Sequence, residues 1–139
     1  MKVLYEATMT NTGGREGNVE APDGSLKLKI APPEKKISDA TDPEQLFAAG
    51  YSSCFNGALE LKLRQGRAKY ESTSVTAKVR LLEDPSDSGF RIGVTLVVAI
   101  KGLNLEDARR FTEQAHDFCP YSKATRGNID VELEVVEAD

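Results

Sequence analysis

Residues 41–66 read TDPEQLFAAGYSSCFNGALELKLRQG, a stretch that predicts one long helix. Thr41 or Asp42 can cap it, Pro43 suits the first helical position, and Gly66 is a natural stop. Glu44, Phe47, Tyr51, Cys54, Ala58 and Leu61 recur every three or four residues, so they share a stripe. Alanine, glycine and serine around Cys54 leave room for another backbone to approach closely. A cysteine in that setting needs an explanation.

Outward from this helix the chain alternates with period two, the strand signature. On the N-terminal side three runs alternate: Val3/Tyr5/Ala7/Met9, then Arg15/Gly17/Val19/Ala21 after a TNTGG turn, then Leu26/Leu28/Ile30 after Asp23 and Gly24. Downstream, Val75/Ala77/Val79/Leu81 and Phe90 to Ile100 flank the loop EDPSDSG and read as a hairpin. A second helix is capped near Asn104, carries Ala108, Phe111, Ala115 and Phe118 on one face, and ends before Pro120. Ile129, Val131, Leu133 and Val135 form the last strand. About six strands in antiparallel sheet, a long central helix and a second helix make an α+β fold.

The chain of 139 residues suits a single domain, residues 1–139, large enough for a real core. Its 18 basic and 22 acidic side chains give a formal charge of −4 with no basic stripe, so nucleic acid is not expected as a partner. No apolar run approaches the roughly 20 residues that span a bilayer, and MKVLYEATMT lacks a signal-peptide core. A soluble cytoplasmic protein without a membrane partner is expected. In a reducing compartment, two distant cysteines rarely make a structural staple; a bond between them is usually catalytic or sensory.

Cys54 and Cys119 are the 2 cysteines. By helix position alone, Cys54 reads as a small core hydrophobe, as free cysteines commonly are. Cys119 opens CPYS, between a helix end and a proline, where the chain is irregular and can move. One helix-held and one loop-held cysteine suit a peroxidatic and resolving pair. The first must be a placed thiolate, and the second must reach the sulfenic acid before further oxidation. Arg15 falls on the strand face of Val19 and Ala21. It is either a strand-end arginine reaching water or a cation aimed at a thiolate. Glu44 is its candidate partner, although a glutamate in a first helical turn is also ordinary dipole chemistry. His116, the 1 histidine, lies off the helix stripe and is expected to be exposed. No CxxC or HxxxH spacing supports a zinc site, so neither a metal nor another cofactor is expected. Phe47, Tyr51, Phe55, Phe118 and Tyr121 cluster in sequence around the thiols, and some should line an apolar substrate cleft.

The strings TDPEQLFAAGYSSCFNGAL and FCPYSKATRGNIDVEL, with TNTGGREG near the start, closely resemble the organic hydroperoxide resistance proteins, the Ohr branch of the OsmC/Ohr family. That resemblance implies an OsmC/Ohr-like fold and an intertwined homodimer with two active sites at the subunit interface. It also implies a thiol-dependent peroxidase that reduces organic hydroperoxides to alcohols, recycled by a dithiol such as dihydrolipoamide on a lipoylated protein. By motif match, Cys54 is peroxidatic, Cys119 resolving, Arg15 the activating cation and Glu44 its carboxylate partner. Glu44 lies ten positions before Cys54, roughly 15 Å along a continuous helix, so Arg15, Glu44 or both are expected to reach the thiol across the dimer. A thiol redox sensor, a small-molecule binding module and an OsmC-type peroxidase are the alternatives; CPYS and ATRGN favour the Ohr branch.

Overall fold

Two compact units, Met1–Leu46 and Phe47–Asp139, make up the chain in the computed structural model, which describes all residues from Met1 to Asp139. The first unit holds four short strands, β1 (Thr10–Thr12), β2 (Gly17–Glu20), β3 (Lys27–Ile30) and β4 (Ala40–Thr41), in that order in one sheet. β1, β2 and β3 pair antiparallel, and β4 joins β3 in parallel after a 3₁₀ turn at Pro33–Lys35. The TNTGG turn is built around Asn11, whose side chain accepts from the Gly14 N–H at 2.9 Å and donates to the Gly14 carbonyl at 3.0 Å. Gly13 (φ 88°) and Gly14 (φ 63°) take left-handed conformations there that side chains disfavour.

The run Val3–Met9 departs from expectation. Its alternation is that of a strand, but no strand of the chain pairs with it, and Val3, Leu4 and Tyr5 are 79%, 87% and 82% exposed. A strand exists only through its ladder, and periodicity supplies no partner.

Helix α1 (Pro43–Gln65) begins with Asp42, not Thr41, as its cap, accepting from the Gln45 N–H at 2.9 Å. Its fully buried stripe is Tyr51, Phe55, Leu59 and Leu63, with Ala58 beside it. Relative to the expected stripe this is rotated by one position. Leu61 is half-buried, and Cys54 sits on the shoulder of the stripe. The chain reverses at Arg67 (φ 53°), so Gly66 is not the left-handed residue. It serves close approach instead: a Cβ there would lie 2.7 Å from the Phe111 ring.

In the second unit, β5 (Ser72–Asp84) and β6 (Gly89–Lys101) form the expected hairpin, in register from Ser72↔Lys101 to Asp84↔Gly89. Asp84 Oδ1 caps the turn by accepting from the Ser86 N–H and hydroxyl. Helices α2 (Leu105–Phe118) and α3 (Pro120–Thr125) follow, then β7 (Val131–Val136). β7 lies parallel to β6, not antiparallel, because α2 and α3 carry the chain back across the sheet before it re-enters. Pro120 therefore ends one helix and occupies the first position of another, where its missing N–H is harmless. Val94, Leu96 and Val98 of β6 are fully buried in one core cluster with the α1 stripe and with Ala108, Phe111 and Ala115 of α2. The architecture is α+β, with seven strands in two sheets and three α-helices. No helix is long and apolar enough to cross a membrane.

Leu59→Ala should cost about 2–5 kcal/mol in denaturant unfolding, the range for emptying a buried leucine site. Gly66→Ala should cost about 1–3 kcal/mol through overpacking against Phe111. A neutral Gly66→Ala would contradict the packing role.

Candidate active site

Cys54 lies in the middle of α1, half-buried, one position before the buried Phe55. Cys119 is fully buried at the junction of α2 and α3. The expected irregular loop is absent. Cys119 is extended (φ −60°, ψ 127°) and ends α2 with its N–H bonded to the Ala115 carbonyl at 2.8 Å. Its own carbonyl accepts from the Lys123 N–H at 2.9 Å and starts α3. The fold brings the two free thiols together, with Sγ to Sγ at 3.6 Å. A disulfide is about 2.05 Å long, so bond formation needs a closure of about 1.5 Å.

Burial pushes the Cys54 thiol above its ordinary pKa. The backbone N–H of Tyr121 at the start of α3 opposes that shift, while the hydrogen bond and charge of Cys119 add to it. Within this unit burial therefore disfavours the Cys54 thiolate, the form that a nearby cation favours.

The first unit holds a paired cation. Arg15, just before β2, donates from Nη1 to both carboxylate oxygens of Glu44, at 3.0 and 3.2 Å. Glu44 stands in the first turn of α1 and is largely buried, whereas the Arg15 side chain is 57% exposed. The two residues that the sequence coupled are thus coupled within one chain.

Of the five expected lining residues, Tyr51 and Phe55 are fully buried and Phe118 and Tyr121 are exposed. Phe47, Tyr51 and Tyr121 form a triangle of rings, with centroids 5.6–6.1 Å apart. Gly50 lets the Tyr121 hydroxyl in: a Cβ there would lie 2.6 Å from it. Lys62 covers the Phe118 ring at 4.4 Å.

His116 is not exposed as expected. It is half-buried in the last turn of α2, with Nδ1 2.8 Å from the Ser122 hydroxyl. That hydroxyl is also 2.8 Å from the Tyr51 hydroxyl, which lies 3.3 Å from Thr125 Oγ1. Burial and then the Arg126 charge hold the imidazole pKa below its ordinary value, against a smaller opposing pull from Asp117. Neither Ser122 nor Thr125 stood out in the sequence. The available signal was spacing: His116 and Ser122 flank Cys119 three residues to either side.

The family model for OsmC-like proteins matches residues 34–134. The organic hydroperoxide resistance protein-like 1 of Staphylococcus epidermidis is 49% identical over 140 residues, covering 99% of this chain and 100% of that one. The chain belongs to the OsmC/Ohr family. The organic hydroperoxide resistance protein OhrA of Bacillus subtilis, another OsmC/Ohr relative, is 51% identical over 96% of this chain and 97% of its own. Among solved OsmC/Ohr structures, the organic hydroperoxide resistance protein OhrB of Bacillus subtilis superposes with a TM-score of 0.90 at 45% identity, over 96% of this chain and 100% of that one.

With the thiols in contact, diamide should convert the reduced protein to an intramolecular Cys54–Cys119 disulfide. Mass spectrometry of the unreduced peptides should show the linked pair with the loss of two hydrogens. Dimeric cross-links in place of that internal bond would contradict the geometry.

Proposed function

We propose that this protein is a cysteine-based peroxidase that reduces organic hydroperoxides to alcohols in defence against oxidative stress. The observation that carries this function is the contact between the Cys54 and Cys119 sulfurs at 3.6 Å in a chain of the OsmC/Ohr family. The Cys54 thiolate attacks the terminal peroxide oxygen; the O–O bond breaks, the alkoxide takes a proton and leaves as alcohol, and Cys54 becomes a sulfenic acid. Cys119 then attacks that sulfur, water leaves, and the disulfide forms. An external dithiol, dihydrolipoamide free or on a lipoylated protein, reduces the disulfide by exchange and is itself oxidised to a cyclic disulfide.

Arg15 is assigned the activating role. Its guanidinium favours the thiolate that burial disfavours, and Glu44 holds the guanidinium in place. We assign the working unit to a homodimer, with the Arg15–Glu44 pair of one protomer serving Cys54 of its partner. The exposed and unpaired Val3–Met9 run supports an assembly in which a second copy supplies a pairing edge. The rings of Phe47, Tyr51, Phe55, Phe118 and Tyr121 are assigned to the alkyl group of the substrate. Each buried methylene adds about 0.8 kcal/mol, which favours bulky hydroperoxides over hydrogen peroxide.

Steady-state assays with tert-butyl hydroperoxide and dihydrolipoamide test the cycle. Cys54→Ser should abolish even a single turnover, whereas Cys119→Ser should complete one turnover and then stall or over-oxidise. Multiple turnover separates a peroxidase from a redox sensor, and equal efficiency towards hydrogen peroxide would remove the organic preference.

A separate measurement tests Arg15. In Arg15→Ala the cation is gone and the burial of Cys54 remains, so the thiol pKa should rise and alkylation of Cys54 at neutral pH should slow. Mixing Arg15→Ala with Cys54→Ser protomers should restore activity if the arginine acts across the dimer, because each heterodimer then holds one intact site. Continued inactivity of verified heterodimers would place the arginine in the same chain as its cysteine.

A further inference from the structure

Cys119 sits at the midpoint of a symmetrical tether. Three residues before it, His116 bonds Ser122; three residues after it, Ser122 itself bonds both His116 and Tyr51. Tyr51 in turn lies three residues before Cys54 on α1. The chain Tyr51–Ser122–His116 therefore joins the same two segments that carry the two sulfurs. Arg126 closes the far side by donating to the His116 carbonyl at 2.6 Å, and the Phe55 ring of α1 packs beside the imidazole, with centroids 6.3 Å apart.

The proton count lets the chain run in either of two directions. Thr125 spends its hydroxyl proton on the carbonyls of Tyr121 and Ser122, at 3.0 and 3.2 Å. Either Tyr51 donates to Ser122 and Ser122 to Nδ1 of a neutral His116, or an N–H at Nδ1 donates to Ser122, Ser122 to Tyr51 and Tyr51 to Thr125 Oγ1. Ser122 and Tyr51 have no solvent exposure, so removing the shared hydroxyl leaves two polar groups without the partner they met there.

We propose that His116 and Ser122 are positioning residues that hold the Cys119 junction against α1 through Tyr51 and thereby set the sulfur–sulfur approach needed for disulfide formation. The proposal rests on the assignment of Cys119 as the resolving thiol. It adds what holds that thiol in range: a hydrogen-bond chain across α1, α2 and α3, buried at Tyr51 and Ser122 and half-buried at His116, not the proline turn alone.

The test uses no peroxide. The full-length protein is equilibrated in glutathione redox buffers, where its two thiols lose two electrons and two protons to glutathione disulfide, giving the Cys54–Cys119 disulfide and two glutathione thiols. The fraction oxidised yields the effective concentration of Cys119 at Cys54. Ser122→Ala, which removes a single oxygen, should lower it about tenfold, the scale of one buried hydrogen bond. His116→Leu should do the same, and His116→Asn, which keeps a polar atom facing Ser122, should restore it to within about threefold of wild type. Ile30→Ala, which empties a buried site in the first unit outside the core cluster of the thiols, should leave it within about twofold, because stability alone does not change the ratio between two folded redox forms.

Ser122→Ala within twofold of wild type would overturn the proposal, even if the histidine variants fail to fold. An equal loss in Ile30→Ala would overturn it as well, since the effect would then be general loosening. Failure of the protein to turn over hydroperoxides would leave these ratios intact and would count against the peroxidase cycle alone.

Discussion

Burial of the Tyr51 and Phe55 rings on α1 is the constraint on which the rest of the second unit depends. These rings, with Leu59 and Leu63, are the face that α1 gives to β6 and α2. Cys54 lies between them in sequence, and helical geometry places it on the shoulder of that face. Cys54 is thus held by its neighbours' packing. It is half-buried, and it carries no large side-chain anchor of its own. The same burial pushes its thiol pKa upward, so the packing that positions the sulfur also discourages its reactive form.

The opposing segment solves a different problem. Cys119 must be placed with equal accuracy, yet it follows one helix and precedes another. Pro120 makes this possible: it cannot extend α2, and it needs no hydrogen bond at the first position of α3. Cys119 is left extended between two helical ends, with its N–H spent on one helix and its carbonyl on the other. Both of its backbone groups are satisfied although the residue is fully buried. The N–H of Tyr121 next to it acts on Cys54, so the junction contributes a sulfur and a polar donor together.

In the first unit the Arg15–Glu44 pair is a held cation of another kind. One guanidinium nitrogen engages both oxygens of a carboxylate that is largely buried, while most of the arginine remains open. An arginine so anchored presents its charge in a fixed direction and loses little freedom on meeting an anion. This is the physical content of the activating role assigned to it.

Local patterns were legible in the sequence: the α+β class, the capped long helix, the β5–β6 hairpin and the two cysteines with their arginine and glutamate candidates. Each depends on residues close together along the chain, where period, caps and turn chemistry act. The tertiary structure alone decided what depends on through-space partners. Val3–Met9 has the alternation of a strand but no edge in its own chain, and β7 runs parallel because two helices intervene. Cys119 came to lie buried between two helices. His116, off the apolar stripe of α2, was drawn half inside by a hydroxyl on the next helix. The 3.6 Å between sulfurs 65 residues apart follows from how α1 packs against the α2–α3 junction, and no local pattern encodes that distance.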